Sequence, residues 1–143
     1  MPDCGDGDLA RDAVDHGFMV MLEIWHSALG ELAAEVPPGQ LRVLLILSRT
    51  RSMTVGRLAD ALGASGPATN MICGRMEAKG LLGRGRGTAG DMPVIFLTAS
   101  ARRLVAQIQV QRRAVLDHVL QSLTPAGRTS LASALAEFAA NPA

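Results

Sequence analysis

The sequence predicts a mostly α-helical chain with one small β-hairpin: a helical lobe that carries the hairpin, flanked by long terminal helices. Three observations predict it. Apolar residues recur at steps of three and four along most of the 143 residues, which is the period of a helix face. Aromatics are scarce, with no Tyr, one Trp and three Phe, so the core rests on Leu, Val, Ile, Met and Ala, which suits helices better than a β-sandwich. A single glycine-rich interval between Leu81 and Leu97 breaks the helical period and reads as two short strands around a turn.

Taken in order, residues 1–8 are rich in Asp and Gly and predict a disordered tail. Residues 9–143 predict one domain. Asp8 can cap a first long helix whose apolar positions are Phe18, Met21, Leu22, Trp25, Leu29, Leu32, Ala33 and Val36. Pro37-Pro38 stop it, and Pro38 can begin the next helix, Leu41 to Leu47, which is apolar on most sides. Thr54 caps a third helix, with Val55, Leu58, Ala59 and Leu62 on one face and Gly63 at its end. Ser65 caps a fourth, with Pro67 in its first turn; Ile72, Cys73 and Met76 point inward and Gly80 ends it. The strand pair follows, with Gly83, Gly85, Gly87 and Gly90 permitting the turn between its arms. After Thr98 comes a second long helix with apolar positions from Leu104 to Leu123. Thr124-Pro125 repeat the cap-plus-proline start for a last helix through Leu131, Leu135 and Phe138.

Two helices joined by a tight turn and followed by a hairpin form a winged helix-turn-helix, an order suited to reading duplex DNA. Residues 38–98 make this lobe, while 9–36 and 99–140 are too long to serve the lobe alone. Their leftover apolar stripes predict a helical dimerisation region and a two-fold homodimer. Charge follows the same division. From Gln40 to Arg113 there are twelve basic residues against Asp60, Glu77 and Asp91, a net +9. The residues before that segment sum to −7 and those after it to −1, so the whole-chain charge of +1 conceals a cationic middle.

The side chains expected at DNA are Thr54, Arg57, Ser65, Gly66, Thr69, Asn70 and Arg75 on the helix pair and Arg84 and Arg86 on the hairpin. Asn70 can bridge an adenine, and Arg75 can reach a guanine or a phosphate. Arginine beside a glycine-rich turn suits the minor groove and its phosphates. Trp25 and His26 are candidates for a ligand pocket. No metal site is expected: Cys4 and Cys73 are far apart, no Cys-x-x-Cys occurs, and His16 and His26 do not share a helical turn. No cofactor is expected either. Paired catalytic acids, a nucleophile elbow and a phosphate loop are all missing from the sequence, which argues against an enzyme. No apolar run is long enough for a bilayer and the first residues have no signal-like core, so the expected location is the cytoplasm.

Leu41-Arg-Val-Leu-Leu, Thr54-Val-Gly-Arg-Leu-Ala, Arg75-Met-Glu-Ala-Lys-Gly-Leu81 and Leu97-Thr98 together resemble the multiple-antibiotic-resistance regulator (MarR) family, from about Pro38 to Leu123. The resemblance implies a homodimeric winged-helix transcription factor, often a repressor released by a small, commonly phenolic, ligand. Three departures stand out. The family's wing carries Asp-x-Arg; here Asp91 is followed by Met92-Pro93, which leaves Arg84 or Arg86 to substitute. Ala68 and Met71 stand where the family has Thr and Arg, and Ala99-Ser100 replace the glycine after Leu97-Thr98. The missing wing arginine supports a rival reading, a winged-helix protein-interaction module with weakened or lost DNA binding.

Overall fold

The structure, a computed structural model, describes residues 4–88, 90 and 92–141. Six helices and one hairpin run in the order α1 (Cys4–Glu35), α2 (Pro38–Leu47), α3 (Val55–Leu62), α4 (Gly66–Ala78), β1 (Leu82–Arg86), β2 (Pro93–Leu97), α5 (Ala99–Gln121) and α6 (Pro125–Ala140). The chain divides into two compact units, residues 30–110 and residues 1–29 with 111–143. The mostly α fold class with a small hairpin is the expected one.

The first unit is the lobe. Val43, Leu44 and Leu47 of α2, Leu58, Ala59 and Leu62 of α3, and Thr69, Cys73 and Met76 of α4 are buried in it together with Leu82, Val94, Ile95 and Leu97 of the hairpin. Capping chemistry sets the helix limits. The Thr54 hydroxyl accepts the Arg57 N–H, and the Ser65 hydroxyl accepts that of Ala68; each supplies an acceptor to an otherwise orphaned donor. Gly63 at φ 64° closes α3 and Gly80 at φ 73° follows α4, a left-handed geometry that glycine adopts without penalty. The strands pair antiparallel, Leu82 with Leu97 through Arg86 with Pro93. Gly83 lies opposite Phe96, and a Cβ on Gly83 would meet the Phe96 ring at 2.5 Å, so this glycine leaves room for the ring. Met53, in the link between α2 and α3, exchanges both backbone hydrogen bonds with Ile95 and ties that link to the hairpin.

The second unit is helical. It comprises most of α1, the C-terminal part of α5, and α6. Leu29 and Val115 are buried, but Leu9, Val14, Phe18, Met19, Val20, Leu116, Leu120, Leu135 and Phe138 are exposed, and α6 has no buried residue. Thr124 caps α6 by accepting the Gly127 N–H, as its cap-plus-proline start predicts.

Two expectations about the first helix need correction. The sequence predicts a tail over residues 1–8, yet α1 is helical from Cys4; residues 1–3 lie outside the described ones. Asp8 therefore sits inside the helix, where its carboxylate pairs with Arg11 at 3.0 Å instead of capping an end. Near the other end Gly30 leaves helical geometry at φ 44°, ψ −124°, so the long apolar stripe is carried by a kinked helix. A lone glycine in a helical pattern does not by itself mark such a break. Among the described residues no helix is long and apolar enough to cross a membrane.

Candidate nucleic-acid interface

Four structural ties hold the helix pair and the hairpin together, and most come from the stretch Arg75 to Thr98. Lys79 Nζ donates to Gln40 Oε1 at 2.9 Å, joining the end of α4 to α2. This partner lets Gln40 be buried, where an unpaired amide would be costly. Glu77 Oε1 accepts from Arg84 Nε at 2.8 Å, joining α4 to β1. Thr98 Oγ1 donates to Gly80 O at 2.7 Å and accepts the Ala101 N–H, so one hydroxyl both closes the base of the wing and caps α5. The Leu81 N–H reaches back to Met76 O at 2.9 Å. The Arg-x-Glu-x-Lys-Gly motif is thus largely a set of struts that fix the wing against α4.

The Arg84–Glu77 pair is partly solvated, with 44% and 31% of the two side chains exposed. A pair of this kind stabilises by less than about 1 kcal/mol, so its main consequence is geometric. It holds the Arg84 guanidinium on the α4 side of the wing.

Several expected interface residues are at the surface. Arg57, Ser65, Gly66, Asn70, Arg75, Arg84 and Arg86 are exposed and Thr54 is half-buried. Thr54 and Ser65 use their oxygens as cap acceptors, and a hydroxyl that accepts still has its O–H to donate. Thr69 is a correction. It is 0% exposed, and its Oγ1 donates to Ser65 O at 2.9 Å. It lies four residues before Cys73 and seven before Met76, hence on their buried stripe, and its internal hydrogen bond lets the hydroxyl be buried. In this conformation the Thr69 side chain is not presented to DNA. Asp91, the acidic residue expected on the wing, lies outside the described residues.

All ten basic residues of the lobe unit, Arg42 to Arg103, are exposed. Such a surface raises the local concentration of a polyanion. The N-terminal half of α4 adds the positive end of a helix dipole with no acidic residue in its first turn.

Cys73 is 0% exposed, on the inward side of α4. Burial pushes its thiol above the ordinary value and Glu77 adds to this, while Arg84 and a backbone hydrogen bond pull it part of the way back. Thiolate is therefore scarcer than for a solvated thiol, and the residue is unreactive at neutral pH. The unfolded chain loses the Cys73 proton first as pH rises, so the residue's contribution to stability is intact below about pH 9 and declines above it. Thiol titration of the folded protein at pH 7.5 is expected to leave Cys73 unmodified until denaturant is added. Rapid labelling of the folded state would contradict this burial.

Trp25 is half-buried and His26 is exposed. A concavity of about 470 Å³ in the second unit is lined by Glu23, Ile24, Ser27 and Ala28 of α1 and Ala114, Val115 and His118 of α5. Neither Trp25 nor His26 belongs to that lining. Among the described residues no three His, Cys, Asp or Glu side chains gather as a metal site would require.

Comparison with known proteins agrees with this geometry. Residues 34–91 match the MarR family, a stretch that takes in α2, α3, α4 and the first strand of the hairpin. No curated protein matches by sequence. Three solved structures superpose over nearly the whole chain. RV1404 from Mycobacterium tuberculosis is 25% identical with a TM-score of 0.85, covering 94% of this chain and 93% of its own. The transcriptional repressor CouR, solved bound to a 23-mer DNA duplex, is 21% identical with a TM-score of 0.70 over 97% and 98%. BpsR from Bordetella bronchiseptica, whose DNA binding is regulated by 6-hydroxynicotinic acid, is 18% identical with a TM-score of 0.64 over 97% and 96%. With its helix-turn-helix matched in sequence and its fold shared along the chain, the protein is similar to the MarR-family winged-helix regulators.

Proposed function

We propose that the chain is a sequence-specific, DNA-binding transcriptional regulator, a cytoplasmic homodimer that represses from a palindromic site. One observation carries this reading. The N-terminal half of α4 exposes every residue from Gly66 to Met71 except Thr69, is free of acid in its first turn, and is accompanied by the exposed arginines 57, 75, 84 and 86. Among the comparison structures CouR, a repressor, is DNA-bound. Homodimerisation is supported by the second unit, which leaves Phe18, Met19, Val20, Leu135 and Phe138 uncovered in the single chain. A soluble monomer rarely exposes so many large apolar side chains, and a second copy meeting them about a two-fold axis would bury them. A palindromic site requires the two recognition helices of such a dimer to meet half-sites roughly 34 Å apart.

Release by a small ligand extends the reading. The regulation of BpsR by 6-hydroxynicotinic acid supports a phenolic or related aromatic effector, with Trp25 and His26 as its candidate contacts. No resident cofactor or metal is needed for this activity.

A gel-shift titration against the duplex upstream of the chain's own gene, at low and moderate salt, tests the reading. Asn70→Ala and Arg75→Ala are each expected to weaken specific binding by about 1–3 kcal/mol, the usual value of a base-edge contact. Circular dichroism should be unchanged, since both side chains are exposed. Absence of any shift at low salt would favour the protein-interaction module, to which the Met92-Pro93 wing already lends some support.

A further inference from the structure

The outward face of α4 is apolar at its centre. Thr69, Cys73 and Met76 mark the buried stripe, so at about 100° per residue the opposite side carries Pro67, Met71, Gly74 and Ala78. All four are exposed, and Met71, at 61%, is the only large side chain among them. Asn70 and Arg75 flank this row on its two sides.

A single exposed methionine usually needs no explanation. Here its position makes it informative. It lies in the N-terminal half of the helix that meets base edges, within a segment of net charge +9 that suits a polyanion. A protein partner fits poorly. Three small residues and one methionine offer far less than the roughly 800 Å² per side of a stable interface, and their surroundings are cationic. A thioether has no hydrogen-bond donor and is a weak acceptor, so Met71 has little to offer a phosphate or a base-edge amide. It can bury an apolar group. The apolar group that a base pair presents in the major groove is the C5-methyl of a pyrimidine.

We propose that Met71 selects a pyrimidine C5-methyl group, thymine's in unmodified DNA, at one position of each half-site, beside the base read by Asn70. The proposal rests on the DNA-binding reading above. Asn70 and Met71 are about 1.5 Å apart in rise and about 100° apart in direction, so Met71 meets a base neighbouring the one that Asn70 reads.

The test starts from duplexes selected from a random 30-base-pair library by the full chain at low salt. In the best duplex each thymine is replaced in turn by uracil, which removes only the methyl. One thymine per half-site is expected to respond, with a loss of about fourfold, the burial of one methyl group. Cytosine at that position should bind more weakly than 5-methylcytosine by the same factor, which separates the methyl from the exocyclic groups. Met71→Ala should abolish both differences, and Met71→Leu should keep them. A tightly bound duplex with a flat uracil scan, or a methyl effect that persists in Met71→Ala, would overturn the assignment while leaving DNA binding intact. Failure to select any duplex would remove the DNA-binding reading itself and this inference with it.

Discussion

Replacing Arg84 and Arg86 together by alanine is expected to flatten the salt dependence of DNA affinity more than any other surface change in the lobe. Each cation that neutralises a phosphate adds about −0.9 to the slope of log affinity against log salt. Two arginines per subunit are four per dimer, so the slope should fall in magnitude by about 3.6. Between 50 and 200 mM salt that difference amounts to roughly 150-fold in affinity. The structure sharpens the prediction for Arg84, whose Nε is held by Glu77 at 2.8 Å. That bond directs the guanidinium to the α4 side of the wing, so Arg84 would act near the recognition helix. Glu77→Gln keeps both cations and serves as the control, with a slope no shallower than that of the parent chain. A double variant with an unchanged slope would mean that the wing does not meet phosphate. The departure at Met92-Pro93 would then mark a wing that has left the DNA.

The lobe was largely legible because its signals are local. Thr54, Ser65, Gly63 and Gly80 act through backbone groups a few residues away, and the structure uses all four as helix limits. What stayed hidden depends on residues that meet only after folding. Glu77 and Arg84 lie on a helix and a strand, and no periodicity pairs them. Met53 falls in a link with no regular pattern, yet it bonds to Ile95 at the hairpin. Gly30 interrupts a stripe that continues on both sides in the sequence, and its φ of 44° is visible only in the backbone.

The candidate site was legible in composition more than in detail. Arginine count and order single out the lobe, and the structure places arginines 57, 75, 84 and 86 at its surface. Thr69 has the polarity of a DNA contact but the phase of a core residue. Its spacing from Cys73 and Met76 already set it inward, and a hydroxyl bonded to Ser65 O can be buried. In the sequence Met71 stands out only by replacing an arginine; its exposure on the outer face of α4 is visible only in the structure.

Met76→Ala is expected to be the most disruptive single change in α4, destabilising the chain by about 2–5 kcal/mol. Met76 is 0% exposed and is among the largest fully buried side chains of the lobe, in company with Leu44, Leu58 and Ile95. Truncation removes its apolar contacts and leaves a cavity that the close-packed neighbours can only partly fill. A domain's total stability is about 5–15 kcal/mol, so this one change can take a large share of it. Met71→Ala, five residues earlier on the same helix, is the natural contrast. With 61% of its surface exposed, it should shift stability by no more than about 0.5 kcal/mol. Urea titrations of the two variants therefore separate the two faces of α4, one anchoring the helix and the other presented outward. Equal stability losses would mean that Met71 is packed against something in solution, and the outward face would then be unavailable to DNA. A small loss for Met76→Ala alone would instead mean that the lobe closes around the missing side chain, which would tie the position of α4 less to this anchor than to Leu58 and the Glu77–Arg84 strut.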